Sequence, residues 1–105
     1  MSFAENLETL ESVEGLAVLE LRDESGATVA SIENKPGSAG SFRVYCHLAK
    51  KWGVIGPDAA REALEIFAEH TEDARLNPGK HPNIDRLFQL IAENLHYIVQ
   101  CLPAK

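Results

Sequence analysis

One stretch of the chain concentrates the side chains best suited to chemistry: Glu69-His70-Thr71-Glu72-Asp73, then Asn77-Pro78-Gly79-Lys80-His81, then Pro82-Asn83-Ile84-Asp85-Arg86. A reversal at Pro78-Gly79 would bring His70 and Asp73 back against His81 and Asp85. Imidazoles flanked by carboxylates are acid/base equipment. A histidine just ahead of a helix start has its protonated form disfavoured by the positive helix end, so His81 would accept a proton. Asp85 or Asp73 would orient its ring, and Lys80 would stabilise developing negative charge. The catalytic candidates are therefore His81, His70 and Asp85, with no nucleophile motif beside them. The same residue types bind divalent ions, but the spacing matches no short metal signature and only two histidines are nearby. No metal is expected; if one binds, its ligands are His70, Asp73, His81 and Asp85, with Glu69 in reserve. The plainer reading is structural. His81 and Asn83 would cap a helix, Pro82 would set its entry, Asp85 would complement its dipole, and His70 would extend the apolar stripe Ala59, Ala63, Ile66.

A second candidate is the loop Gly37-Ser38-Ala39-Gly40-Ser41 before a helical pattern, flanked by Lys35 and Arg43. Backbone N–H groups there could face a phosphate or carboxylate, although the phosphate-loop pattern is absent. The ligand-binding candidates across both regions are Lys35, Ser41, Arg43, Asn77, Lys80 and Asn83. The acidic series Glu62, Glu65, Glu69, Glu72 reads as a solvated helix face with an Arg61–Glu65 pair. Lys50, Lys51 and Trp52 read as an amphipathic helix end. Cys46 and Cys101 lie in apolar flanks without a CxxC motif and read as reduced core thiols; a disulfide between them is the minor alternative.

The elements that must position these groups follow from periodicity and punctuation. Ser2 caps a short helix carrying Phe3, Leu7 and Leu10, which Gly15 stops. Leu16–Arg22 and Ala27–Glu33 read as a hairpin around Asp23-Glu24-Ser25-Gly26. Ser41 then caps a helix bearing Phe42, Tyr45, Leu48, Ala49 and Trp52, with a strand over residues 42–48 as the rival. Pro57 and Asp58 open one long helix running to about Arg75. A last helix starts near Asn83, with Ile84, Leu87, Phe88, Ile91 and Leu95 on one face, and leads into a strand over His96–Leu102. The expected fold is α+β: a small antiparallel or mixed sheet, formed by the hairpin and the final strand, packed with about four helices in one domain spanning 1–105.

Composition sets the outer limits. A chain of 105 residues, 45% hydrophobic and 25% charged, can bury roughly 65% of its unfolded surface in one core. Sixteen acids against ten bases give a net charge of −6 and a pI near 5.1, the wrong sign for neutralising phosphate backbones, so no nucleic acid partner is expected. Four bases and no acid fall in residues 35–56, which make a basic island. The first residues carry glutamates and no apolar run, so no secretory or transit signal is read there, and the setting is expected to be cytoplasmic. Leu87–Leu102 is too polar for a transmembrane span, and no membrane partner is expected.

At Gly79-Lys80-His81-Pro82-Asn83-Ile84-Asp85, preceded by Ala68-Glu69-His70-Thr71-Glu72-Asp73-Ala74 and by Lys35-Pro36-Gly37, the chain resembles a small uncharacterised bacterial family, a domain of unknown function designated DUF2322. The resemblance covers nearly the whole chain and implies a standalone bacterial protein, with no activity, cofactor or catalytic residue attached to it. Two functions fit the residues. The first is a non-enzymatic module that binds a small anionic ligand or a protein partner and can self-associate. The second is a small acid/base or metal-assisted hydrolase working through His70 and His81.

Overall fold

The computed structural model describes residues 2–103. Helix α1 (Phe3–Glu8) opens with a capping box: Ser2 and Glu5 exchange side chain-to-backbone hydrogen bonds, satisfying two of the donors that a helix start leaves free. Strands β1 (Leu16–Arg22) and β2 (Thr28–Glu33) form the expected antiparallel hairpin. Asp23 Oδ1 accepts from the Ser25 and Ala27 N–H groups, and Gly26 supplies the positive φ of 88° that closes the turn. A register shift between Leu21 and Arg22 starts β2 at Thr28, one residue later than periodicity suggested.

Helix α2 (Ala39–Trp52) replaces the rival strand over residues 42–48. It begins three residues ahead of the expected start, with Ser38 and not Ser41 at the cap position, which places Ser41 inside its first turn. Ser38 stands at the cap position, but its hydroxyl donates to the Glu33 carbonyl at 2.6 Å and leaves the helix start without a side-chain cap. Gly53, at φ 77°, ends the helix and leads into β3 (Val54–Ile55), a two-residue strand too short for periodicity to reveal.

The single helix expected from Pro57 to Arg75 is two: α3 (Pro57–Phe67) and α4 (Glu69–Leu76). Ala68 sits between them at φ 50° and ψ −115°, a conformation that alanine adopts only under strain. The Ala68 N–H bonds back to Glu65 at 3.2 Å. The Leu64 carbonyl receives the Thr71 hydroxyl at 2.6 Å instead. Nothing in the run Ile66-Phe67-Ala68-Glu69 announces this break, because every residue in it is compatible with helix. Helix α5 (Pro82–Glu93) ends at left-handed Asn94, where the Leu95 N–H reaches the Leu90 carbonyl at 2.9 Å.

Strand β4 (Tyr97–Pro103) completes a four-stranded antiparallel sheet in the order β2-β1-β4-β3. The fold is thus α+β, with five helices among the described residues. Leu19, Leu21 and Ile32 point from the sheet into the core, where they meet Phe42, Tyr45 and Leu48 of α2 and Leu87 and Leu90 of α5. Each such large apolar side chain, taken fully out of water, contributes about 1.5–3 kcal/mol. Helix α2 lies against β1, β2 and β4, whereas α3 and α5 pack on each other. The starts of α2 and α5 both border a hollow that Phe3 and Leu7 of α1 also line.

Candidate functional site

Those two helix starts, α1 and the α4–α5 loop enclose a cleft of about 510 Å3. Phe3, Leu7, Phe67 and Ile84 form its apolar wall. Gly37, Ala39, Gly40 and Ser41 from the start of α2, together with Lys80, His81, Pro82 and Asn83 from the start of α5, form the polar one, and His70 joins the two. The break at Ala68 is what turns α4 so that His70 looks into this space. Its ring meets Phe3 edge-on at 5.0 Å and stands 5.5 Å from the His81 ring, centroid to centroid. Phe3 also stacks on Phe67 at 5.1 Å. Two anchors from α1 fix that arrangement: Glu69 Oε1 accepts the Phe3 N–H at 2.8 Å, and Asn6 donates to the Ile66 carbonyl at 3.0 Å. Gly40 lies close against α1: a Cβ there would stand 3.0 Å from the Phe3 ring, so a side chain at this position would need the ring to give way.

The His81 ring does not cap α5. Its Nε2 lies 2.7 Å from Asp73 Oδ2, and Lys80 Nζ lies 3.0 Å from the same oxygen. The hydrogen bonds from His81 and Lys80 hold the Asp73 carboxyl down to about 2, against an ordinary 3.8. Asp73 is therefore an acceptor only, His81 Nε2 carries the hydrogen, and Nδ1 holds the lone pair whenever the ring is neutral. The pair orients an imidazole at the cleft and partly neutralises the acid that would otherwise repel an anion.

The other candidates divide between the cleft and the scaffold. Ser41, Lys80 and Asn83 line the cleft with His70 and His81. Asp85 accepts the Gly79 N–H at 2.9 Å and fastens the α4–α5 loop outside the cleft, so the carboxylate on His81 is that of Asp73. Asn77 donates to Asp73 at 3.0 Å, Lys35 pairs with Glu33 at 3.5 Å, and Arg43 binds the Leu10 and Glu11 carbonyls at 2.6 and 3.0 Å. Among the described residues no three His, Cys, Asp or Glu side chains are grouped to hold a metal ion, so His70, Asp73, His81 and Asp85 form no ligand set.

The acidic series is not uniformly solvated. Arg61 pairs with Asp58 at 3.0 Å instead of Glu65. Glu69 holds α1, and Glu62 joins a network that sequence reasoning missed. In it His47 lies between Glu62, at 2.7 Å, and Glu11, at 3.3 Å, and Lys51 binds Glu62 at 2.5 Å. The four-residue spacing of His47 and Lys51 on one helix face was visible, but no local pattern ties them to a glutamate on α3.

Fold and cleft together define an α+β domain in which two helix starts, two imidazoles and a lysine border one partly apolar hollow. The chain belongs to the family described as "Uncharacterized protein conserved in bacteria (DUF2322)", whose sequence model matches residues 3–101. No curated protein and no solved structure matches it. Among the described residues no helix is long and apolar enough to cross a membrane.

Proposed function

We propose that the protein is a binding module for a small amphiphilic anion, a carboxylate or phosphate with an apolar body, held in the cleft between α1, α2 and α5. One observation carries this reading: the starts of α2 and α5, neither closed by a side-chain cap, open on the same hollow as His70, His81 and Lys80. At α2 the Lys35 carbonyl takes the Ala39 N–H, and at α5 Pro82 has none and the His81 carbonyl takes that of Ile84, which leaves the N–H groups of Gly40, Ser41 and Asn83 to offer; each helix start adds roughly half a positive charge, which favours an anion. The wall of Phe3, Leu7, Phe67 and Ile84 would take the apolar part.

Amide chemical shifts followed during titration with benzoate, and separately with inorganic phosphate, test the reading. Perturbations centred on residues 37–41, 70, 80, 81, 83 and 84, weakened in the His70→Ala/His81→Ala double variant, are expected. Saturation elsewhere, or none in the millimolar range, refutes it.

The His81–Asp73 contact favours one second reading, a hydrolase in which His81 Nδ1 takes a proton from water beside a bound ester or phosphate. Turnover of p-nitrophenyl esters that falls at least a hundredfold in His81→Ala supports it; equal rates in parent and variant dismiss it.

A further inference from the structure

Cys46, on α2, and Cys101, in β4, are 55 residues apart in sequence, yet their sulfurs lie 3.1 Å from each other. Neither is bridged. Both line a second cavity, of about 550 Å3, bordered by Glu11, His47, Lys50 and Val99 and separate from the cleft described above. Cys46 is 4% exposed, while Cys101 is partly open to solvent. Closing the sulfur contact to a bond of ~2.05 Å requires movement of only about 1 Å.

We propose that Cys46 and Cys101 are a reversible redox pair, oxidised by a low-molecular-weight disulfide to a cross-link that ties α2 to β4. The Cys101 thiolate attacks one sulfur of the incoming disulfide, a protein–small-molecule mixed disulfide forms, and one thiolate leaves. The Cys46 proton passes to that departing thiolate. The Cys46 thiolate then attacks the Cys101 sulfur and expels the second small thiolate, which takes up from water the proton that Cys101 released on ionising. The protein loses two electrons and two protons, and the reagent gains both as two thiols. The order follows from access, since the incoming reagent meets the more open sulfur first. Burial and the neighbouring Cys101 push the Cys46 thiol up, which keeps it protonated and unreactive until a mixed disulfide stands beside it. Cross-links of this kind in reducing compartments are transient and sensory rather than structural.

The experiment equilibrates the full chain with reduced and oxidised glutathione over a range of ratios and counts alkylatable thiols by intact mass. Both thiols are expected to disappear together with a mass loss of about 2 Da, to map to one Cys46–Cys101 peptide and to return with dithiothreitol. The native chain should form the bridge about a hundredfold more favourably than the chain in guanidinium, a potential difference of about 60 mV. Cys46→Ser should stop at a glutathione adduct on Cys101. Cys101→Ser, the milder change at a partly exposed site, should leave Cys46 unmodified and keeps the test intact if the buried variant fails to fold. Two thiols that stay alkylatable in the most oxidising buffer, a parent chain that stops at the adduct, or bridging only between chains would each overturn the proposal.

Discussion

Replacing Ala68 with glycine should stabilise the protein, and the sign of the change is the test. At φ 50° and ψ −115° the alanine Cβ crowds its own backbone, and residues held in such regions cost about 1–3 kcal/mol. Glycine removes that strain but brings back about 0.5–1 kcal/mol of unfolded-state entropy. The partly buried methyl is a small further loss, so the net gain is about 1 kcal/mol. For a chain of this length that raises Tm by roughly 5 °C. If residues 57–75 instead formed one continuous helix, the same substitution would cost about 1 kcal/mol, as glycine does inside any helix, and Tm would fall by a similar amount. Urea unfolding followed by circular dichroism separates the two, provided the m-value is unchanged. Ala68→Val, β-branched at a positive φ, should be less stable than the parent. A glycine variant with a lower urea midpoint would refute both the helix break and the argument that the break is what aims His70 at the cleft.

Two further outcomes follow from the same geometry. Asp73 should titrate near 2 in a carbon-detected pH series, because His81 and Lys80 bond its charged form. A folded-state pKa below the unfolded one means that this contribution to stability is fully present above the ordinary value of 3.8 and is lost as pH falls through about 2. A midpoint near 4 in the parent would dissolve the His81–Asp73–Lys80 arrangement. Tyr45→Phe should cost about 1–3 kcal/mol in urea. The buried hydroxyl donates to the Asn83 carbonyl at 2.6 Å and accepts from Arg86 at 3.2 Å, and burial pushes it up to about 12. No change in midpoint would mean that the hydroxyl does not brace the start of α5.

What the sequence disclosed and what it concealed divide along the range of the interactions involved. The hairpin was legible because Asp23 and Gly26 act within four residues, and α2 because its apolar positions recur with helical spacing. The placement of His70 near His81 was legible through Pro78-Gly79. The helix break was not, since the forces that impose it come from α1 reaching Glu69 and Ile66 across 66 and 60 residues and from Thr71 reaching back to Leu64. Proximity in sequence could not choose between the two acids offered to His81, Asp85 and Asp73. Asp85, four residues on, is spent on Gly79, whereas Asp73 arrives from the preceding helix. The merging of the glycine loop with the histidine loop into one hollow is a tertiary event that no local pattern encodes.

The strand order β2-β1-β4-β3 has a consequence for biosynthesis. As the ribosome delivers the chain, β1 and β2 can pair at once, but the other edge of β1 waits until Tyr97–Pro103 has emerged. During that interval Leu19 and Leu21 of the nascent hairpin have helices to collapse upon and no strand to zip with, so one row of backbone donors and acceptors stays available to any neighbouring polypeptide. Closing a loop of this length is slow compared with hairpin formation. Translation stalled ahead of residue 97 should therefore yield chains that bind trigger-type chaperones or co-aggregate, whereas chains stalled late enough to expose β4 should not.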